Sequence, residues 1–364
     1  MMPALPGAMA SGTAGGATTG GAAGRAGPPP ALLAEGTVFV CDFWGAIPKA
    51  DLAGMEHPMF SLSTRPDRRI LSYEHAGVKV EVVPSVKGLA TIHDRDILIF
   101  CVSQLMAAIN AGREVGRTLR LRAHDLLTAT GRETSGDAYR RLKESFERLA
   151  GTRVTTDVAT GPPEARVRET TGFGLIEAGK IVRRASKGGE RMDYVTVTLS
   201  DWLFRSVLAR SVLTLSRAYF GLRKPLERRV YELARKHCGR QPEWRVSVEV
   251  LHLKSGSASP RRVFRKMMRD MIRAQPLPGY ELAEEEGDVI RVRPRAAARG
   301  AGGLTLDGPR LPAAALDKAR ELMPGRDVHA LEAEWLDFWE ATGRPPLRSP
   351  AGAFLGWVAK RAAG

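Results

Sequence analysis

One order of local signals occurs twice between residues 93 and 295, and it restricts the chain more than any single motif does. The first copy opens with "HDRDILIFCVSQLMAAINAG", where Asp94 suits a helix cap, apolar residues run on, and Gly112 suits the stop. A short alternating strand "TLRLR" (118–122) follows, then a brief helix "AHDLLTAT" and a turn at Gly131. A further helix begins at Ser135, with Tyr139, Leu142, Phe146 and Leu149 on one face. Strand-like segments close the copy: "TRVTT", then "FGLIEAGKIVRR" and "DYVTVTLS" around a Gly188-Gly189 turn. The second copy opens at Pro225 with "PLERRVYELARKHCG", Leu226, Val230 and Leu233 on one side and Gly239 as the stop. Then come a strand "EWRVS" (243–247), a helix "VEVLHLKS", a turn at Gly256, a basic helix, and a hairpin "GYELAEEEGDVIRVRP".

Helix, short strand, helix, turn, helix, hairpin is the order of a winged helix-turn-helix, whose third helix enters the DNA major groove beside a wing. The pattern predicts an α+β, mainly helical fold with two tandem winged helix-turn-helix domains and a small C-terminal helical module. The expected divisions are a disordered Gly/Ala-rich tail (1–35), an N-terminal region with the first winged helix (36–212), and the second winged helix (213–295). A linker (296–310) and the helical module (311–364) follow.

The basic helix of the second copy carries the strongest functional signal. With Pro260 as its first residue after a Ser257 or Ser259 cap, a turn of about 100° per residue sets Val263, Phe264, Met267 and Met271 on one side. Met268 lies near that group and Ile272 off it. Arg262, Arg265, Lys266, Arg269 and Arg273 fall opposite, interrupted only by Asp270. Like charges at i,i+4 repel, so a plain solvated face would mix signs, whereas a polyanion relieves the repulsion. The reading requires Arg262, Arg265 and Arg269 to leave the helix outward and unengaged by carboxylates. Its equivalent in the first copy mixes Arg140, Arg141 and Lys143 with Asp137, Glu144 and Glu147, and reads as a weaker DNA contact or partly a dimer surface. Ser135, Arg140, Arg141 and Lys143 are its candidate contacts.

Charge placement agrees. The net charge is +15, and nearly all of the excess lies between residues 70 and 309, not at the ends, which marks that section for an anionic partner. Three cysteines, Cys41, Cys101 and Cys238, form no close pair, which argues against a zinc site or a disulfide framework and suits a reducing cytoplasm. No stretch reaches the roughly 18 apolar residues of a membrane span.

Motifs for catalysis fail on inspection. "GLIEAGKI" (174–181) ends on Ile181 where a phosphate-binding loop needs a magnesium-binding hydroxyl, and it alternates like a strand. The carboxylates of "HDRD" (93–96) suit helix capping better than a metal. No two of the seven histidines stand one residue apart, so the paired-His site of nicking enzymes is missing, and His252 reads as a core or backbone-contacting histidine. A nickase or primase is therefore the weakest class considered. No cofactor or metal is expected.

Three blocks resemble a known family: "MEHPMFSLSTRPDRRILSYEHAGVKVEVVPSVKGLATIHDRDILIFCVSQL" (55–105), "YFGLRKPLERRVYELARKHCG" (219–239) and "LHLKSGSASPRRVFRKMMRDMI" (251–272). They resemble plasmid replication initiator protein A, a winged-helix initiator family, with His93 standing where its pattern reads Trp. The resemblance spans about 36–295. It implies a non-enzymatic protein that binds repeated double-stranded sequences at a plasmid origin, helps open it and recruits host machinery. Candidate partners are the host replication initiator, the replicative helicase and a second copy of the chain. Many iteron-binding relatives in the wider class switch between dimer and monomer and can repress their own promoter. The resemblance places DNA contacts on Ser257, Ser259, Arg261, Arg262, Arg265, Lys266 and Arg269, and Lys254 joins them just before the turn. A transcriptional regulator with tandem winged helices is the alternative. In the C-terminal part, Trp335, Phe338 and Trp339 share a helix face, as a small packed core or as a docking surface.

Overall fold

The computed structural model describes residues 30–362 except 35, 44, 76–77, 158–170, 187–188, 239–240, 296–303, 306–307, 310, 324–327, 342–346 and 348. Most of the expected tail and linker, Gly188 of the expected turn and the expected stop at Gly239 lie outside the described residues.

The chain is α+β. It begins with β1 (Phe39–Val40), β2 (Lys49–Asp51) and α1 (Leu52–Glu56), followed by the antiparallel pair β3 (Leu71–His75) and β4 (Val78–Val83). The helix α2 (Arg95–Asn110) buries every residue but Ala107, as expected of a helix apolar nearly all round. It ends before Gly112, which takes the left-handed φ of +69° that a stop there requires. Next come β5 (Thr118–Arg122), α3 (Ala123–Ala129) and α4 (Gly136–Gly151), the last capped by the Ser135 hydroxyl, which accepts from the Ala138 amide. The strands β6 (Arg153–Thr156), β7 (Thr171–Gly174), β8 (Ile176–Ser186) and β9 (Gly189–Leu199) lead to α5 (Asp201–Leu208) and β10 (Val212–Thr214). The "GLIEAGKI" stretch runs through the end of β7 into β8, with no helix after it.

The second part holds α6 (Pro225–Cys238), β11 (Trp244–Ser247), α7 (Val248–Ser255), α8 (Arg261–Ala274), β12 (Tyr280–Glu285) and β13 (Val289–Pro294). Its sheet order, β11-β13-β12, matches β5-β9-β8 in the first part: each short strand pairs antiparallel with the second hairpin strand. The repeated order read from the sequence is therefore a repeated topology. One segment is reassigned. "TRVTT", expected to follow its helix into the hairpin, is β6 of a separate sheet, β3-β4-β6-β7, and covers the core from another side. Its alternation fits either sheet, and only the Val80–Thr156 to Val83–Arg153 register decides.

Two apolar clusters follow this division, one around α2 and the first hairpin, the other around α6, α7 and α8. Between them lies a layer of buried charge. Arg95, 1% exposed, reaches Glu232, 0% exposed, at 2.6 Å and Asp51 at 3.1 Å. Arg228 on α6 meets Asp96 on α2 at 2.5 Å, and Arg132 meets the same carboxylate at 3.0 Å. Burial opposes the charge on Arg95, but Glu232 and Asp51 outweigh it and hold its pKa above the usual value. These pairs correct the capping reading of "HDRD". Asp94 makes no side-chain cap to α2. Its carboxylate takes Arg148 at 2.7 and 2.8 Å and the Thr91 amide at 2.8 Å, while Asp96 serves the two arginines.

The C-terminal part has α9 (Ala313–Leu322), α10 (Val328–Ala341) and α11 (Pro350–Ala362) after a two-residue ladder of β14 (Leu304–Thr305) and β15 (Gly308–Pro309). Its own apolar cluster contains Leu316, Leu331, Trp335, Phe354 and Val358. Trp335 and Trp339 are buried, while Phe338 is exposed beside the Trp357 ring.

Candidate nucleic-acid interface

The helix α8 is fixed at both ends. Pro260 stands at its N-cap rather than inside it, and Gln275 closes it in the left-handed region with φ +45°. The Gln275 amide group accepts from the Leu282 N–H and donates to the Leu282 and Ile272 carbonyls, so the helix end is tied to β12. The turn from α7 uses Gly256 at φ +69°, and its carbonyl accepts from the Tyr73 hydroxyl of β3 at 3.1 Å. His252 stacks edge-on against Phe264 and its Nε2 lies 2.8 Å from the Ser259 carbonyl, in keeping with a core and backbone-contacting role.

The buried face of α8 is Phe264, Met268 and Met271. Val263 and Met267, expected on that face, are 41% and 37% exposed, so the helix is rotated from the expected seat. The seat follows i, i+4, i+7 spacing, which centres the apolar stripe on Phe264. Rotation carries Arg265 to the flank of the helix that meets the hairpin.

That placement corrects the expectation of unengaged guanidiniums. Arg265 Nε and Nη2 lie 2.8 and 2.6 Å from the Asp288 carboxylate at the hairpin tip. Arg269 Nε and Nη2 lie 2.9 and 2.8 Å from Glu284 of β12. Hydrogen bonds from these arginines hold both carboxyls below their usual pKa and raise the pKa of each arginine, so the pairs stay ionised. Arg261 pairs with Glu249 of α7 at 2.6 Å, and Arg273 pairs with Asp270. Arg262 and Lys266 are exposed and, among the described residues, have no acidic partner.

Other expected contacts are distributed as follows. The Ser257 hydroxyl accepts from the Ser259 amide within the turn, and both residues are partly exposed. Lys254 departs from expectation: its side chain is 11% exposed and its ammonium is held by Glu56, which also takes Lys236 and His237. Burial disfavours the Glu56 carboxylate, but these partners outweigh it and lower its pKa. On α4, Ser135 is occupied as the cap, Arg140 pairs with Asp137 and Glu144, Arg141 with Asp137, and Lys143 with Glu147 at 3.7 Å. Arg140, Arg141 and Lys143 of the first copy's helix are thus each neutralised by an acid of the same helix within one turn.

Among the described residues no group of three or more His, Cys, Asp or Glu could hold a metal ion, and no helix is long and apolar enough to cross a membrane. Two solved structures of RctB domains 2 and 3 align with 15% identity. One has a TM-score of 0.44, covering 65% of this chain and 95% of that one. The other, a selenomethionine derivative, has a TM-score of 0.46, covering 64% and 92%. A protein of Wigglesworthia glossinidia brevipalpis described as "Putative replication protein" is 33% identical over 233 residues, 64% of this chain and 83% of its own length. Residues 49–282, from β2 through α8 into β12, match the family described as Replication initiator protein A. The chain belongs to the replication initiator protein A family.

Proposed function

We propose that the protein initiates plasmid replication by binding repeated double-stranded sequences at the origin, acting by binding and not by catalysis. In this reading α2–β9 and α6–β13 are tandem winged helix-turn-helix units within 36–212 and 213–295. The helix α8 enters the major groove and the β12–β13 hairpin is the wing beside it. The module at 311–364 is a separate helical unit behind the linker. Family membership supports the initiator role. The observation that carries the DNA contact is the outward pair Arg262 and Lys266, one turn apart on a helix anchored by Phe264, Met268 and Met271. The Arg265 and Arg269 pairs are partly exposed, and each guanidinium keeps further N–H donors that a polyanion can share.

The test has two parts. Arg262→Ala and Lys266→Ala are compared with wild type by fluorescence anisotropy on duplex repeats cloned from beside the gene. A phosphate contact weakens all sequences alike and flattens the salt slope by about one unit per variant. A base contact lowers affinity for the repeats about five- to hundredfold and spares scrambled DNA. Unchanged binding in both variants refutes the α8 contact. In cells, a plasmid bearing this gene and its adjoining repeats replicates in a host lacking the parent replicon. Failure to replicate, with repression of the promoter retained, would instead assign the protein to transcriptional regulation.

A further inference from the structure

The six cations of α8 differ in their partners. Arg262 and Lys266 have no acidic partner among the described residues, and Arg261 and Arg273 pair with Glu249 of α7 and Asp270 of α8 itself. Arg265 and Arg269, also one turn apart, are each clamped by a hairpin carboxylate. Both clamps use the same edge of the guanidinium. Nε and Nη2 of Arg265 face Asp288, and Nε and Nη2 of Arg269 face Glu284. A guanidinium has five N–H donors in a rigid plane. A carboxylate seated on the Nε–Nη2 edge leaves both hydrogens of Nη1 and one of Nη2, and one hydrogen from each of these two nitrogens forms the end-on fork. That fork matches the O6 and N7 acceptors of guanine.

The carboxylates are themselves fixed. Asp288 sits in the left-handed region with φ +62°, which Asp tolerates better than most residues. Its carbonyl accepts from the Val248 amide at 2.8 Å, which pins the hairpin tip to the start of α7. Glu284 stands opposite Ile290 in the β12–β13 ladder, and Ile290 is buried. Neither acid rides on a free loop.

We propose that Asp288 and Glu284 are positioning residues that aim the end-on edges of Arg265 and Arg269 at guanines in the major groove. The inference rests on the reading that α8 faces DNA. The ligand is then a duplex with two guanines close together. Four residues of helix rise about 6 Å, which corresponds to about two base-pair steps. Each clamped pair carries no net charge, so it adds little to non-specific attraction. Each acid also repels phosphate, which penalises every sequence that does not repay it with a guanine. Affinity for any DNA falls to Arg262 and Lys266, and selectivity to the clamped pair.

The experiment uses the full chain and a random-sequence duplex library, from which wild type and variants each select sites. The selected wild-type duplex and a scrambled duplex are then titrated at three salt concentrations. Wild type selects two guanines within about two steps. Asp288→Asn and Glu284→Gln, near-isosteric changes whose folding is checked by melting, each degrade selection at one guanine. They lower the ratio of selected to scrambled affinity about tenfold, and scrambled binding holds or rises. Arg265→Ala loses the same guanine as Asp288→Asn, and combining the two costs no more than either alone. If Asp288→Asn and Glu284→Gln leave that ratio unchanged while Arg265→Ala lowers it, the acids do not position. A parallel fall in both affinities also overturns the proposal. If Arg262→Ala, Lys266→Ala and Arg265→Ala all leave binding intact, α8 does not face DNA, and the underlying reading fails instead.

Discussion

Glu232 is the residue on which most buried charge converges. It accepts from Arg95 Nη1 at 2.6 Å, from the Tyr219 hydroxyl at 2.7 Å and from Arg229 Nη1 at 3.3 Å, with no exposure of its side chain. Removing one member of a buried pair strands the other's charge, which commonly costs about 3–5 kcal/mol. Glu232→Ala is expected to lower unfolding free energy by that amount in a urea titration, whereas Tyr219→Phe, which removes one neutral donor, costs about 1 kcal/mol. The sequence allowed none of this to be read. Arg228, Arg229 and Glu232 lie among the apolar residues of α6, but their partners on α1 and α2 are up to 175 residues away. A carboxylate in "HDRD" obeys the local rules for a cap equally well. Only the packing of α6 against α2 shows that Asp94 and Asp96 are spent on arginines.

At the scale of elements, local pattern located the six helices of the two copies and both hairpins, because each has a strong local start or stop, whereas α1, α5 and the β3–β4 pair were not read from the sequence. The strand β5 spans the expected 118–122, and α7 spans "VEVLHLKS". What local pattern did not settle was which surface each element meets. The sheet joined by β6, the roll of α8 by one seat, and the hairpin acids facing Arg265 and Arg269 all depend on register between distant segments. The α7–α8 turn is a tightly determined joint. A methyl group at Gly256 would stand 2.6 Å from the Pro58 side chain, and the residue holds φ +69°. Gly256→Ala is expected to destabilise the chain by about 1–3 kcal/mol. It should also shift the amide resonances of α8, a displacement that two-dimensional NMR would register.

Across the whole molecule, acid should loosen the protein before its carboxylates titrate. His57 and His93 are buried enough that desolvation lowers each pKa from 6.5 to about 4, with Arg229 near the first and Arg228 near the second adding to the effect. The unfolded chain binds these protons below about pH 6.5, and the folded chain refuses them until about pH 4. Stability is therefore complete above the unfolded value and declines as pH falls through that window, on the order of 2 kcal/mol per histidine between about pH 7 and pH 5. Denaturant midpoints across this range measure the decline, and His93→Phe should flatten part of it. Arg229 adds a constraint of another sort. Its guanidinium binds the carbonyls of Gly54, Met55 and Glu56 at the end of α1 and that of Lys254 at the end of α7. One side chain thus ties off two helix ends contributed by distant stretches of chain. A fragment cut to begin at residue 213 would keep every residue of the basic helix yet lose three of these four acceptors. To excise the reading head as an independent tool, an engineer would have to bring α1 along or replace Arg229 and Glu232 together with apolar residues.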